Sequence, residues 1–242
     1  MKRITLVALA ALFLTACQNG NNSDLAAKVA ALEEKVEKLS TLQTEIAQRA
    51  GMGALVRPEQ LAFADGHQVG EKTAKVAILE FTDLQCPFCA KFNQEIWPEL
   101  KKNYVDTGKV LFVGREFPLF QSHPQAPFAA LTLRCAATQN VYAQMKEYLF
   151  ANQGTLKQTE IDAELTRLKA DVAKHTECMK NKALQEGVRE STLYAGKLGL
   201  SSTPTFFIGF NAGNGVTDYQ ELVGAKSYAE FAAVLDALLA KQ

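Results

Sequence analysis

Apolar residues open the chain as an unbroken run, Ile4 to Leu14, and then thin to a periodic stripe. They recur at Leu25, Val29, Leu32, Val36, Leu39 and Ile46, the alternating four-and-three spacing of a heptad seam. Gln43 interrupts the seam, and Ala, Lys and Glu fill most other positions. A seam this narrow predicts a coiled-coil helix over 24–49, N-capped by Asp24 and preceded by a polar tether over 17–23. Residues 50–70, with Gly51, Gly53, Pro58, Gly66 and Gly70, read as linker, with a short strand near Ala62. The globular domain then occupies 71–242. Lys75–Thr82 (KVAILEFT) reads as a buried strand, Ala90–Tyr104 as a helix kinked at Pro98, and Lys109–Arg115 as a second strand. Pro124 to Lys197 is almost all helical, with breaks at Gly154 and near Lys180. Thr205–Ile208 and Gln220–Val223 are short strands, and Tyr228–Ala240 is a closing helix. This order predicts an α/β fold with a helical insertion at about residues 120–197.

The opening run follows Lys2 and Arg3 and is too short to span a bilayer, which takes roughly 20 apolar residues. It reads as a secretory signal over 1–16. Leu14-Thr15-Ala16-Cys17 resembles the bacterial lipobox. That resemblance implies that Cys17 becomes the first mature residue and carries lipid, anchoring the chain to a membrane in the periplasm. Gln18 stands where an aspartate would signal inner-membrane retention, which favours the outer membrane.

Composition narrows the chemistry. With 26 basic and 26 acidic side chains the net charge is zero, so no long-range field draws nucleic acid. An exported chain keeps disulfides. Two of its five cysteines, Cys86 and Cys89, stand two residues apart directly after a predicted strand. At a helix N-terminus the free N–H groups and the helix dipole stabilise a thiolate. Pro87 suits the first turn, where its missing N–H costs nothing. A zinc site would want a second close pair, but Cys135 and Cys178 stand apart and His67, His123 and His175 are scattered. A purely structural bridge across so short a loop brings little entropic benefit. A redox pair is the preferred reading, with Cys86 exposed to attack and Cys89 resolving the mixed disulfide. His123 and His175 read as surface or capping residues.

"ILEFTDLQCPFC", followed much later by "STPTFFIG", resembles the thioredoxin superfamily. The long helical insertion between the two motifs is similar to that of the DsbA-like periplasmic thiol–disulfide oxidoreductases. The resemblance covers residues 71–242. It implies that Cys86 is the nucleophile and Cys89 the resolving thiol. Pro204 becomes a cis-proline facing them, with Thr203 before it presenting backbone to substrate beside Pro87 and Phe88. Glu80, an acid inside an apolar strand, takes the place of the family's buried acid, proposed to move the proton of the resolving thiol. Cys135 and Cys178 read as a structural disulfide between two helices, the flanks "RCA" and "ECM" being similar to those of such a bridge in some members. Where the best-known oxidases carry histidine between the cysteines, this chain has Pro87-Phe88, which predicts a less depressed Cys86 pKa and a less oxidising disulfide.

The resemblance implies disulfide exchange with cysteine-containing periplasmic proteins, with no cofactor beyond the Cys86–Cys89 disulfide and no metal. A membrane redox partner is open. Oxidation is the preferred direction. Threonine before the cis-proline looks more like the oligomeric isomerases, and the helix over 24–49 would then join a homodimer or homotrimer. Two other classes stay open: a chaperone-like binding module with a groove lined by Phe88, Trp97 and Phe117, and copper handling through the thiols.

Overall fold

A computed structural model of the protein describes residues 19–50, 52, 56–154 and 156–241. The signal over 1–16 and lipidation at Cys17 lie outside the described residues. The chain forms two compact units, Met1–Val56 and Arg57–Gln242.

The first unit carries one helix, α1 (Asn19–Arg49). It starts ahead of Asp24 and takes up most of the expected tether, so Asp24 is not its cap. The Asp24 carboxylate instead pairs with Lys28 one turn on, at 2.7 Å, the i,i+4 arrangement that supports a solvated helix. The seam side chains Leu25, Val29, Leu32, Val36, Leu39 and Ile46 are 44–67% exposed in the single chain.

The second unit is built on β1 (Gln60–Ala62), β2 (His67–Val69), β3 (Val76–Thr82), β4 (Val110–Glu116), β5 (Thr205–Asn211) and β6 (Gly215–Val223). They form one sheet in the order β1-β6-β5-β3-β4-β2. β3 lies at its centre, parallel to β4 and antiparallel to β5, and every residue of β3 is buried. Burial on both faces explains why the strand reads as a nearly continuous apolar run. Its side chains alternate. Ala77, Leu79 and Phe81 join Leu111, Val113 and Phe207 on one face, while Val76 and Ile78 join Phe92, Phe206 and Phe231 on the other. Glu80 and Thr82 continue that second face. β1 and β2, within the stretch read as linker, are short edge strands on β6 and β4. β1 falls at the short strand read near Ala62, while β2 is too brief to leave a periodic signal.

The helix after β3 begins as α2 (Pro87–Lys91) and runs on through a π-helical stretch (Phe92–Ile96), α3 (Trp97–Leu100) and a second π-helical stretch (Lys101–Val105). Pro98 accounts for the first widening, because it has no N–H for the α-helical ladder and its ring crowds the preceding turn. The insertion comprises α4 (Ala126–Ala137), α5 (Tyr142–Ala151), α6 (Gln158–Arg167), α7 (Val172–Cys178) and α8 (Lys182–Lys197). Its core, with Leu133, Met145, Leu149 and Leu165, packs directly on Leu84, Cys86 and Cys89. Cys135 and Cys178 are bonded, S–S 2.05 Å, tying α4 to α7. Arg134 of α4 donates to Glu116 at the end of β4 at 2.5 and 3.0 Å and also pairs with Asp65, which clamps insertion to sheet. The closing helix α9 (Tyr228–Leu239) starts with a Ser227–Glu230 capping box.

Candidate active site

The turn leaving β3 sets the site. Cys86 is the N-cap of α2, with extended backbone (φ −75°, ψ 123°), and Pro87 takes the first helical position. The Asp83 carbonyl accepts from the Cys86 N–H at 3.1 Å, and the Cys86 carbonyl accepts from Ala90 at 3.1 Å. Cys89 is one turn deeper, fully buried, and its sulfur accepts from the Asp83 N–H at 3.4 Å. Both thiols are free.

Opposite the pair, the Thr203–Pro204 peptide is cis. It delivers the Thr203 carbonyl to within 3.3 Å of the Cys86 thiol, which donates to it. Residues far apart in sequence, from the β3–α2 turn and the entry to β5, thus meet at one sulfur.

The two sulfurs differ sharply. The Cys86 thiol is pulled down to about 5, chiefly because the Cys89 thiol donates to its thiolate; the Thr203 side chain and the N–H groups of Cys89 and Phe88 help, and burial opposes. Cys89 is pushed well up by burial and by the neighbouring Cys86 charge, against the Asp83 N–H and the Thr82 side chain. One thiolate therefore exists near neutral pH, and it is the outer one.

Asp83 organises the surrounding loop. Its buried carboxylate accepts from the N–H groups of Gln85 and Leu119, each at 2.7 Å, and lies 2.9 Å from His123 Nδ1. Gln153 of the insertion donates to the carbonyls of Leu84 and Cys86, both at 2.9 Å. The Gln85 side chain accepts from the Gln125 N–H at 2.6 Å. None of these positions stands out as functional in the sequence. Asp83 lies inside the cysteine motif, but the loop and helix that meet it are known only once the chain is folded.

Glu80 is fully buried. Lys146 of α5 reaches in and donates to its Oε2 at 2.8 Å. His123 is partly buried beside the site, and His175 is fully buried with Nε2 3.4 Å from the Thr132 carbonyl, so neither is a simple surface residue. Of the aromatics expected to line a groove, Phe88 is exposed, Phe117 is buried in the core and Trp97 packs on Phe112 at 4.3 Å between ring centroids. Among the described residues no group of three or more His, Cys, Asp or Glu side chains is placed to hold a metal ion.

The family model described as Thioredoxin matches residues 64–236. This chain belongs to the thioredoxin family. A second family model, the prokaryotic membrane lipoprotein lipid attachment site, matches residues 1–18. Among solved structures, α-DsbA1 of Wolbachia pipientis shares the thioredoxin fold of this chain with a TM-score of 0.65 and 24% identity, over 78% of this chain and 96% of the other. Curated relatives include the Na(+)/H(+) antiporter NhaA 3 of Salinispora tropica, 28% identical over 66% of this thioredoxin-family chain. An inferred protein-disulfide oxidoreductase of Rickettsia conorii is 29% identical over 60% of it. The chain spans 24% of the antiporter's length and 54% of the Rickettsia protein's.

Proposed function

We propose that this chain is a lipid-anchored periplasmic thiol–disulfide oxidoreductase that exchanges disulfides with cysteine-containing envelope proteins, chiefly as an oxidase. The observation that carries the reading is the asymmetric pair: a Cys86 thiolate at a helix N-terminus facing the Thr203–Pro204 turn, with Cys89 held protonated behind it. In the oxidised protein a substrate thiolate attacks Cys86. The Cys86–Cys89 bond breaks, and Cys89 leaves with the electron pair and takes up a proton. A second substrate thiolate then attacks its own sulfur bound to Cys86, and Cys86 departs as the stabilised thiolate. The substrate has lost two electrons and the protein has gained them. A low pKa makes Cys86 the better leaving group in that second step, which favours oxidation. Thr203 and Pro204 bind substrate backbone, Pro87 and exposed Phe88 line the approach, and Glu80 handles the Cys89 proton.

Anchoring at Cys17 is supported by the lipid-attachment match, and no helix of the described residues is long and apolar enough to cross a membrane. The exposed α1 seam supports a homodimer or homotrimer through residues 24–49, and with it an isomerase or reductase as the second reading. A purely chaperone-like module draws less support, since Phe117 and Trp97 are committed to packing.

The test is the reduction potential against glutathione of a soluble form beginning at Gln18, with its mass in solution. A value near about −120 mV with a monomeric mass supports the oxidase. A lower value with an oligomeric mass supports the isomerase or reductase. Failure of the pair to equilibrate with glutathione refutes exchange altogether.

A further inference from the structure

When the Cys86–Cys89 bond opens, negative charge arrives on Cys89, a sulfur that is fully buried. Burial penalises a thiolate there, so a donor already aimed at the sulfur matters. The Asp83 N–H is such a donor, 3.4 Å away. It belongs to the Thr82–Asp83 peptide, and the segment leaving β4 holds this spot at three points. The Phe117 N–H donates to the Thr82 carbonyl at 2.7 Å. The Leu119 N–H donates to Asp83 Oδ2 at 2.7 Å. His123 Nδ1 lies 2.9 Å from the same oxygen. Oδ1 already accepts from the Gln85 N–H. With both carboxylate oxygens facing N–H donors, the contact with His123 needs the proton on its Nδ1. Two of the three holds are made by backbone, and His123 supplies the third with a side chain. Its own N–H returns to the Leu119 carbonyl at 2.8 Å, which ties the ring to the loop that carries the second hold. The Asp83 side chain is fully buried, whereas His123 is partly exposed.

We propose that His123 is a positioning residue for the departure of Cys89: through the Asp83 carboxylate it keeps the Asp83 N–H on the sulfur that receives the electron pair. The inference rests on the exchange reading above. In the step, a substrate thiolate bonds to the Cys86 sulfur and the Cys86–Cys89 bond breaks. The electron pair settles on Cys89, which then takes a proton from water. His123 and Asp83 are unchanged throughout. A donor preset where charge develops needs no reorganisation as the bond breaks, and a stabilised leaving sulfur departs faster. Cys86 draws on other donors, the N–H groups of Phe88 and Cys89 and the side chains of Thr203 and Cys89, so His123 acts on one sulfur of the pair and leaves the other alone.

Rapid-quench mass spectrometry of the full-length oxidised protein, mixed with reduced glutathione, reads the step as formation of the Cys86–glutathione mixed disulfide. Iodoacetamide alkylation of the reduced protein reads Cys86 by itself. His123→Leu is expected to form the mixed disulfide about tenfold more slowly, the rate equivalent of a weak hydrogen bond to a charged group, and to keep the wild-type alkylation midpoint. His123→Asn places an amide N–H where Nδ1–H stood and should recover most of the rate. A His123→Leu protein as fast as wild type overturns the proposal. So does a His123→Asn protein as slow as His123→Leu, which would assign the effect to the ring and not to its Nδ1–H. A slowed step accompanied by an equal shift in Cys86 alkylation also overturns it, as a general disturbance of the site. Should His123→Leu fail to fold, His123→Ala is read by the same criteria. Wild-type oxidised protein that never forms the mixed disulfide refutes exchange itself, an outcome separate from any in which wild type reacts and the variants do not differ.

Discussion

Replacing Cys89 with alanine isolates the largest influence on the nucleophile. In the reduced protein the Cys89 thiol donates to the Cys86 thiolate, and this contact leads the causes that bring Cys86 to about 5. A hydrogen bond to a charged group contributes about 1.5–3 kcal/mol, and one pH unit corresponds to about 1.4 kcal/mol. Its loss should therefore raise the Cys86 midpoint by roughly one to two units, to about 6–7. It should stop short of an ordinary thiol because the backbone N–H groups of Phe88 and residue 89 and the Thr203 side chain remain. The assay is the pH dependence of iodoacetamide alkylation, checked by thiolate absorbance in the ultraviolet. A Cys89→Ala midpoint that stays near 5 would show that the backbone and Thr203 suffice. A wild-type midpoint near that of a free thiol would refute the whole account of the pair.

Between pH 9 and 5 the unfolded chain binds a proton at Cys86 that the folded, reduced chain does not. Stability of the reduced form should therefore be greatest above pH 9 as far as Cys86 is concerned, fall with pH and lose this contribution below about 5; melting curves of wild type against Cys86→Ser read the difference. Breaking the Cys135–Cys178 bridge, which spans 43 positions, with a double alanine variant should cost about 4 kcal/mol on the chain-entropy model, seen in urea unfolding, while the Cys86 midpoint holds. At Gly187 an added Cβ would meet Arg134 and come within 2.6 Å of the Asp65 carboxylate. The atoms it meets are the ends of two side chains that can swing aside, and alanine gains about 1 kcal/mol over glycine inside α8, so Gly187→Ala should separate Arg134 from Asp65 while moving Tm little, with normal alkylation kinetics.

The pattern of the chain exposed the central strands because both faces of β3 are buried, and Val76–Thr82 can be little else. Of the edge strands, Gln60–Ala62 falls at the short strand read near Ala62, whereas His67–Val69 escaped because it is short, half-solvated and defined by a pairing partner far away in sequence. The cysteine motif announced itself through composition and its place after a strand. Its supporting shell did not. Lys146 lies in "YAQMKEYLF" beside Glu147, and nothing in that spelling tells which of the two is buried; only the packing of α5 against the sheet decides it. His123 likewise lies in a loop without periodicity, and its contact with Asp83 depends on how the chain returns from β4. Where α1 begins was misjudged because Asn and Gly are poor helix formers on average, while the Asp24–Lys28 pair supports the helix just after them.

The Cys135–Cys178 bridge has a consequence for the life history of the molecule. A protein proposed to hand out disulfides must itself receive one before its insertion is complete. A newly exported copy is thus a customer before it is a supplier, and its first transaction is with an older copy or with another donor in the same compartment. Until then Cys86, Cys89, Cys135 and Cys178 all stand unpaired. The acidity of Cys86 depends on neighbours that only folding brings together, so the emerging chain holds no especially reactive sulfur to capture the wrong partner. Reactivity arrives with the helical turn at Cys86–Cys89 and the approach of Thr203, and does not wait for the bridge.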